Sequence, residues 1–161
     1  MRFLKLITVL ALALALSPAF AQTKPAAKPT DNMQILREKL SADKKLLVAS
    51  NMGLTAEEGK GFWPLYDAYQ GELKVINDRL GKTIMAYADA YNKNALTDDT
   101  AKKLTSEAIA VDEAEAKLRR TYLGKLEKVI PGVKAARYLQ IETKIRALIR
   151  YELADSIPLV P

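Results

Sequence analysis

The sequence predicts an all-α protein, and three observations carry that expectation. Apolar residues recur at steps of three or four from Phe62 to Tyr91 and again from Leu104 to Val129, the spacing that lines one face of a helix. Two helix-start signals, "LTAEE" at Leu54 to Glu58 and "LTDDT" at Leu96 to Thr100, stand ahead of those runs. No segment carries the strict alternation or turn chemistry of a hairpin. The expected architecture is a small bundle or cradle of about four helices, the second of them long and kinked at Pro64.

The N-terminus reads as a secretory signal peptide. Arg2 and Lys5 precede an apolar run from Leu6 to Leu16, and Ala19-Phe20-Ala21 follows Pro18 as a cleavage site after Ala21. The apolar run falls short of the ~20 residues a membrane-spanning helix needs. Residues 22–30, QTKPAAKPT, hold two prolines and almost no apolar bulk, the composition of a flexible tether. The expected organisation is therefore a signal peptide over 1–21, a tether over 22–30 and a single helical domain over 31–161, exported to the periplasm. Without Arg2 and Lys5 the chain has 23 basic and 19 acidic residues, a net charge of +4. For an exported chain this mild excess points to anionic lipid, cell-wall polymer or acidic protein surfaces rather than nucleic acid.

Each helix has its own signature. Helix 1 runs from Asp31, with Met33, Leu36, Leu40 and Leu47 on one face and Gly53 placed to end it. Helix 2 opens on Thr55 with Glu58 three residues on, the capping-box arrangement. Its apolar stripe is Phe62, Tyr66, Tyr69, Leu73, Ile76, Leu80, Ile84, Tyr87 and Tyr91. Helix 3 opens on Thr97 with Asp98 and Asp99 at the positive end of the dipole, and its stripe is Leu104, Ala108, Val111, Glu115, Leu118, Tyr122, Leu126 and Val129. Pro131-Gly132 is expected to end it. Helix 4 extends from Val133 to Ala154 with Tyr138, Ile141, Ile145, Leu148 and Ile149 as its apolar face, and DSIPLVP forms an extended tail.

The chain contains no histidine and no cysteine. That removes histidine- or cysteine-based nucleophilic arrangements, imidazole or thiolate zinc sites, the common haem ligands and the Glu-x-x-His di-iron bundle. No enzymatic activity and no cofactor is expected. Asp112, Glu113 and Glu115 are close in sequence, but neighbouring side chains on a helix diverge by about 100°. The simpler reading is i, i+4 pairing of Glu113 with Lys117 and Glu115 with Arg119. Glu115 stands out because it occupies a stripe position, so it should sit at the core's rim or meet a base from another helix.

Two candidate surfaces follow. Trp63 lies about 100° from Phe62 on the wheel, toward the edge of the stripe, where an indole can meet a partner. On helix 4, Arg137 and Lys144 flank one side of the Tyr138, Ile141 and Ile145 stripe, and Arg146 and Arg150 flank the other. An apolar centre with basic borders suits a partner protein or an anionic membrane surface; equally, the stripe can pack inside a bundle. Trp63, Arg137, Tyr138, Lys144, Arg146 and Arg150 are the candidate contact residues. A homodimer that buries the stripes of helices 2 and 3 across two chains is compatible with the same pattern.

The Leu54-Thr55 and Leu96-Thr97 helix starts, in a small exported helical chain, resemble the LTxxQ-type periplasmic proteins typified by Spy and CpxP. Glu58 and Thr100 stand where that motif has glutamine. The C-terminal KAARYLQIETKIRALIRYELADSIPLV resembles the end of a group of exported proteobacterial proteins. The first resemblance implies a kinked, often dimeric, helical cradle that binds unfolded clients or a stress sensor. The expected function is thus client or partner binding in the envelope, with peripheral attachment to membrane or cell wall through helix 4 as the alternative.

Overall fold

A computed structural model of the chain describes residues 42–160. The signal peptide, the tether and the opening of helix 1, with Met33, Leu36 and Leu40, lie outside those residues. All regular structure among the described residues is α-helical, and none of these helices is long and apolar enough to cross a membrane. The chain divides after Gly53 into two compact units. In the first, residues 42–52 form α1. Gly53 ends it at φ +54°, a left-handed conformation that strains any residue with a Cβ.

The second unit holds α2 (Ala56–Asn92), α3 (Asp98–Leu126) and α4 (Gly132–Ser156). The capping box forms as expected: Glu58 N–H donates to Thr55 Oγ1 at 3.2 Å and Thr55 N–H to Glu58 Oε2 at 2.7 Å. Lys134 Nζ of α4 bridges the same carboxylate at 2.6 Å. The Lys134 hydrogen bond, with that from the Thr55 amide, holds the Glu58 carboxyl below its ordinary value. A carboxyl depressed by folding stabilises the fold above its unfolded pKa, and this tie is lost as pH falls through the folded value. Thr97 caps α3 by accepting from Thr100 N–H at 3.3 Å.

α2 is the long second helix expected, running through Pro64 from Ala56 to Asn92, with Pro64 on its exposed side. One boundary differs from expectation. α3 stops at Leu126, before the Pro131-Gly132 signal, and a turn closes with Ile130 N–H donating to the Leu126 carbonyl at 2.9 Å. This early end lets Ile130 bury while Val129 sits over Gly61.

Contacts along the helices fix their directions. Tyr122 of α3 meets Glu72 of α2 and Glu107 meets Arg79, so α2 and α3 are antiparallel. Tyr138, Glu142 and Arg146 of α4 meet Phe62, Gln70 and Asn77 in ascending order, so α4 runs parallel to α2. The result is an up-down-up bundle. Its core is Phe62, Tyr66, Tyr69, Leu73 and Ile76 of α2 against Val111, Leu118, Tyr122 and Leu126 of α3, with Ala135 and Tyr138 of α4.

Glycines on α2 test this packing. A Cβ at Gly61 would stand 2.8 Å from Val129 Cβ, whereas one at Gly71 would meet nothing within 4 Å. Gly71→Ala should stabilise by about 0.5–1 kcal/mol through helix propensity. For Gly61→Ala the same gain is opposed by an overpacking cost of about 1–3 kcal/mol, so its urea midpoint should fall. Equal midpoints for the two variants would contradict the close approach of the α3–α4 turn to α2.

Candidate functional site

The face α4 buries is turned away from the expected apolar one: Tyr138 is buried as expected and Ile141 and Ile145 are half-buried, but Leu148 and Ile149 face outward. Ala135, Tyr138, Glu142 and Arg146 are buried, while Leu148 is 64% and Ile149 45% exposed. The cause lies on α3. Glu115 occupies a stripe position and is buried, and a carboxylate taken out of water needs a cation close by. Arg146 and Arg150 supply it, which requires the charged side of α4 to turn inward.

Arg146 binds through both terminal nitrogens, Nη2 donating to Glu115 Oε2 and Nη1 to Asn77 Oδ1. Arg150 Nη2 donates to Asp112 Oδ1 and lies 3.4 Å from Glu115 Oε2. Asp112 and Glu115, three residues apart, therefore share a helix face, and the cation they hold is Arg150. Glu115 is engaged by α4 in place of the expected local pairing with Arg119. The hydrogen bond from Arg150 to Asp112 raises the guanidinium's pKa further, against the opposing effect of burial. No cluster of metal-ligating side chains occurs among the described residues. One turn nearer the start of α4, Gln70 Nε2 donates to Glu142 Oε1 at 2.8 Å and to Tyr138 OH at 3.2 Å.

The aromatic stretch of α2 is core. Phe62 packs edge-on against Tyr138 at 5.1 Å, and Tyr69 against Tyr122 at 5.2 Å and Tyr138 at 5.8 Å, the geometry aromatic quadrupoles favour. Trp63 is half-buried and packs edge-on against Phe62 at 5.0 Å and Tyr66 at 5.5 Å.

The six candidate contact residues thus fall into different environments. Tyr138 and Arg146 are inside the bundle, bound to its own groups. Arg150 is half-buried and ion-paired. Trp63 shows part of its ring at the surface, and Arg137 and Lys144 are exposed. Arg146→Glu, which the sequence alone would offer as a binding test, would instead place a second carboxylate beside Glu115 and report folding.

What the structure assembles on the outside of α4 is different from the expected stripe. At 100° per residue, the exposed Arg137, Lys144, Leu148 and Tyr151 fall within an arc of about 60° on the side away from the buried residues, with half-buried Ile141 at its edge. Tyr151 is 72% exposed, and Val133, at the start of the same face, 79%. Sequence reading passed over Val133 and Tyr151 because it centred the wheel on the apolar residues. Centring it on the bases that Glu115 requires would have found them.

A cavity of about 480 Å³ opens at the other end of the bundle from the aromatic core. Leu80 and Ile84 of α2, Leu104 and Ala108 of α3, and Leu153 of α4 line it, with Ile157 and Val160 beyond α4. Tyr87 OH donates to the Pro158 carbonyl at 2.9 Å and ties the C-terminal strap to α2. No protein-family model, characterised protein or solved structure matches the chain.

Proposed function

We propose that this chain is a non-enzymatic helical protein of the periplasm that binds unfolded clients or an envelope stress partner through the outward face of α4. The observation that carries the reading is the exposure of Leu148 and Tyr151, with Val133, on a helix whose Glu142 and Arg146 are buried. Burying an aliphatic or aromatic side chain gains about 1.5–3 kcal/mol, a gain the isolated bundle forgoes at each of these positions and a partner recovers. Arg137 and Lys144 on the same arc steer acidic segments at distances near the Debye length, about 8–10 Å at physiological salt. Apolar anchors with basic neighbours are the chemistry of a helix-face docking surface.

The test is suppression of aggregation when a denatured, negatively charged client is diluted into buffer with the chain from Gln22 to Pro161. Suppression is expected at near-equimolar ratios and should weaken with salt. Leu148→Ser with Tyr151→Ser should abolish it and Arg137→Glu with Lys144→Glu should remove its salt dependence. These exposed positions should move stability by no more than about 0.5 kcal/mol each. Undiminished suppression by both double variants would sink the assignment to α4. The same basic and apolar face also favours the second reading, peripheral attachment to an anionic membrane. Co-sedimentation with liposomes that rises with anionic lipid content, without client suppression, would select it.

A further inference from the structure

We propose that the cavity between α2, α3 and α4 is a binding site for an unbranched alkyl chain, the apolar part of a single-chain amphiphile. The α2 stripe is fully buried from Phe62 to Ile76, yet Leu80, Ile84 and Tyr87, which continue it at the same spacing, are only half-buried. The α3 stripe behaves alike: Val111 to Leu126 are core, while Leu104 and Ala108 are half-buried. The sequence thus continues to supply core residues along a stretch where the bundle does not close upon itself. Protein interiors are packed to crystal-like density, and 480 Å³ falls within the 300–1,000 Å³ range of small-molecule sites.

The wall determines the class of ligand. Thr83 Oγ1 donates to the Arg79 carbonyl at 3.1 Å, Tyr87 OH to Pro158, and Arg150 to Asp112. Thr105, the remaining polar side chain of the lining, is at the exposed rim. The hydroxyl donors of Thr83 and Tyr87 are therefore spent on the protein, and the charge of Arg150 is paired with Asp112 and Glu115. A polar solute gains little there, and an ordered water needs two to four polar partners. Burial of apolar surface is the interaction the cavity offers. The lining extends from Leu80 to Tyr87 on α2 and from Ala101 to Ala108 on α3, in each case about 10 Å of helix at 1.5 Å per residue. That is a slot along the bundle axis, which suits a chain better than a compact ring system. A head group would remain outside the slot, in water.

Titration of the chain from Gln22 to Pro161 with cis-parinaric acid, a fluorescent polyene fatty acid, tests this. Saturable one-to-one enhancement is expected, reversed by laurate and by lauroyl-lysophosphatidylcholine if the alkyl chain alone is recognised, and by only one of them if its head group matters. Ala108→Phe, which fills the slot, should weaken binding by at least about tenfold while circular dichroism shows the helices intact. If that variant does not fold, Ala101→Phe carries the test, because Ala101 is half-exposed and its new ring has room toward solvent. Leu148→Ser with Tyr151→Ser should leave the affinity unchanged, which separates this site from the outer face of α4. Non-saturable enhancement, no displacement by either lipid, or undiminished affinity in a folded cavity-filling variant would overturn the proposal.

Discussion

Glu115→Leu is expected to destabilise the second unit by about 3–5 kcal/mol, the usual cost of removing one partner from a buried ion pair. Against a total stability of about 5–15 kcal/mol for a domain, that is a large fraction. Arg146 is only 7% exposed and, without Glu115, keeps Asn77 as the acceptor for its Nη1. Arg146→Met should cost less than Glu115→Leu, because Glu115 would retain Arg150 at 3.4 Å. The two effects should not add. Glu115→Leu with Arg146→Met removes both buried charges and leaves residues of similar volume, so most of the loss should be recovered. Equilibrium urea unfolding of the four proteins in this cycle measures the coupling. Additive losses, or single variants within about 0.5 kcal/mol of the parent, would mean that α4 does not turn its charged side inward.

Tyr138→Ala should cost about 3–5 kcal/mol, as large-to-small changes at buried aromatic sites do. The ring is fully buried among Phe62, Tyr66 and Tyr69, and its loss leaves a cavity that rigid helices cannot collapse to fill. Tyr138→Phe removes the hydroxyl that accepts from Gln70 and is hydrogen-bonded to the buried Glu142 carboxylate, and should cost about 1–3 kcal/mol. Tyr69→Phe should differ from both. The Tyr69 hydroxyl is buried with no hydrogen-bond partner, so deleting it should be neutral or stabilising. Thermal unfolding ranks the three variants, and a Tyr69→Phe loss as large as that of Tyr138→Ala would contradict the packing. Burial also pushes the Tyr66 and Tyr122 phenols up to about 12, and those of Tyr69 and Tyr138 higher still. The folded state holds these groups neutral while the unfolded chain ionises them near 10.0. Their stabilisation is therefore complete below that value and is lost as pH climbs through the folded values.

Much of the fold was readable because the relevant physics is local. Thr55 and Glu58 are three residues apart, so their capping box closes within one turn, and the same holds for Thr97 and Thr100. The stripes of α2 and α3 contain one dominant face each, and period alone identifies it. The candidate site was readable only in part. Arg137 and Lys144 are exposed as a contact surface requires, but Tyr138 and Arg146 lie inside, and the exposure of Val133 and Tyr151 depends on which way α4 is turned.

The sequence by itself determined the helices, their caps and the buried faces of α2 and α3, because propensity, capping and periodicity act over a few residues. The facing of α4 was decided only in the tertiary structure. Its wheel offers two sides, Ile141 with Ile145 and Leu148, or Glu142 with Arg146, and hydrophobicity alone ranks the first above the second. Glu115, 31 residues before Arg146, turns the helix toward the second, so that Tyr138 stays buried, Ile141 and Ile145 are half-buried and Leu148 is exposed. The cost of burying a charge depends on what stands opposite it, which no window along the chain contains. The same holds for the cavity, since the stripes of α2 and α3 continue through it unchanged, and only the placement of three helix ends and the C-terminal strap leaves the space open.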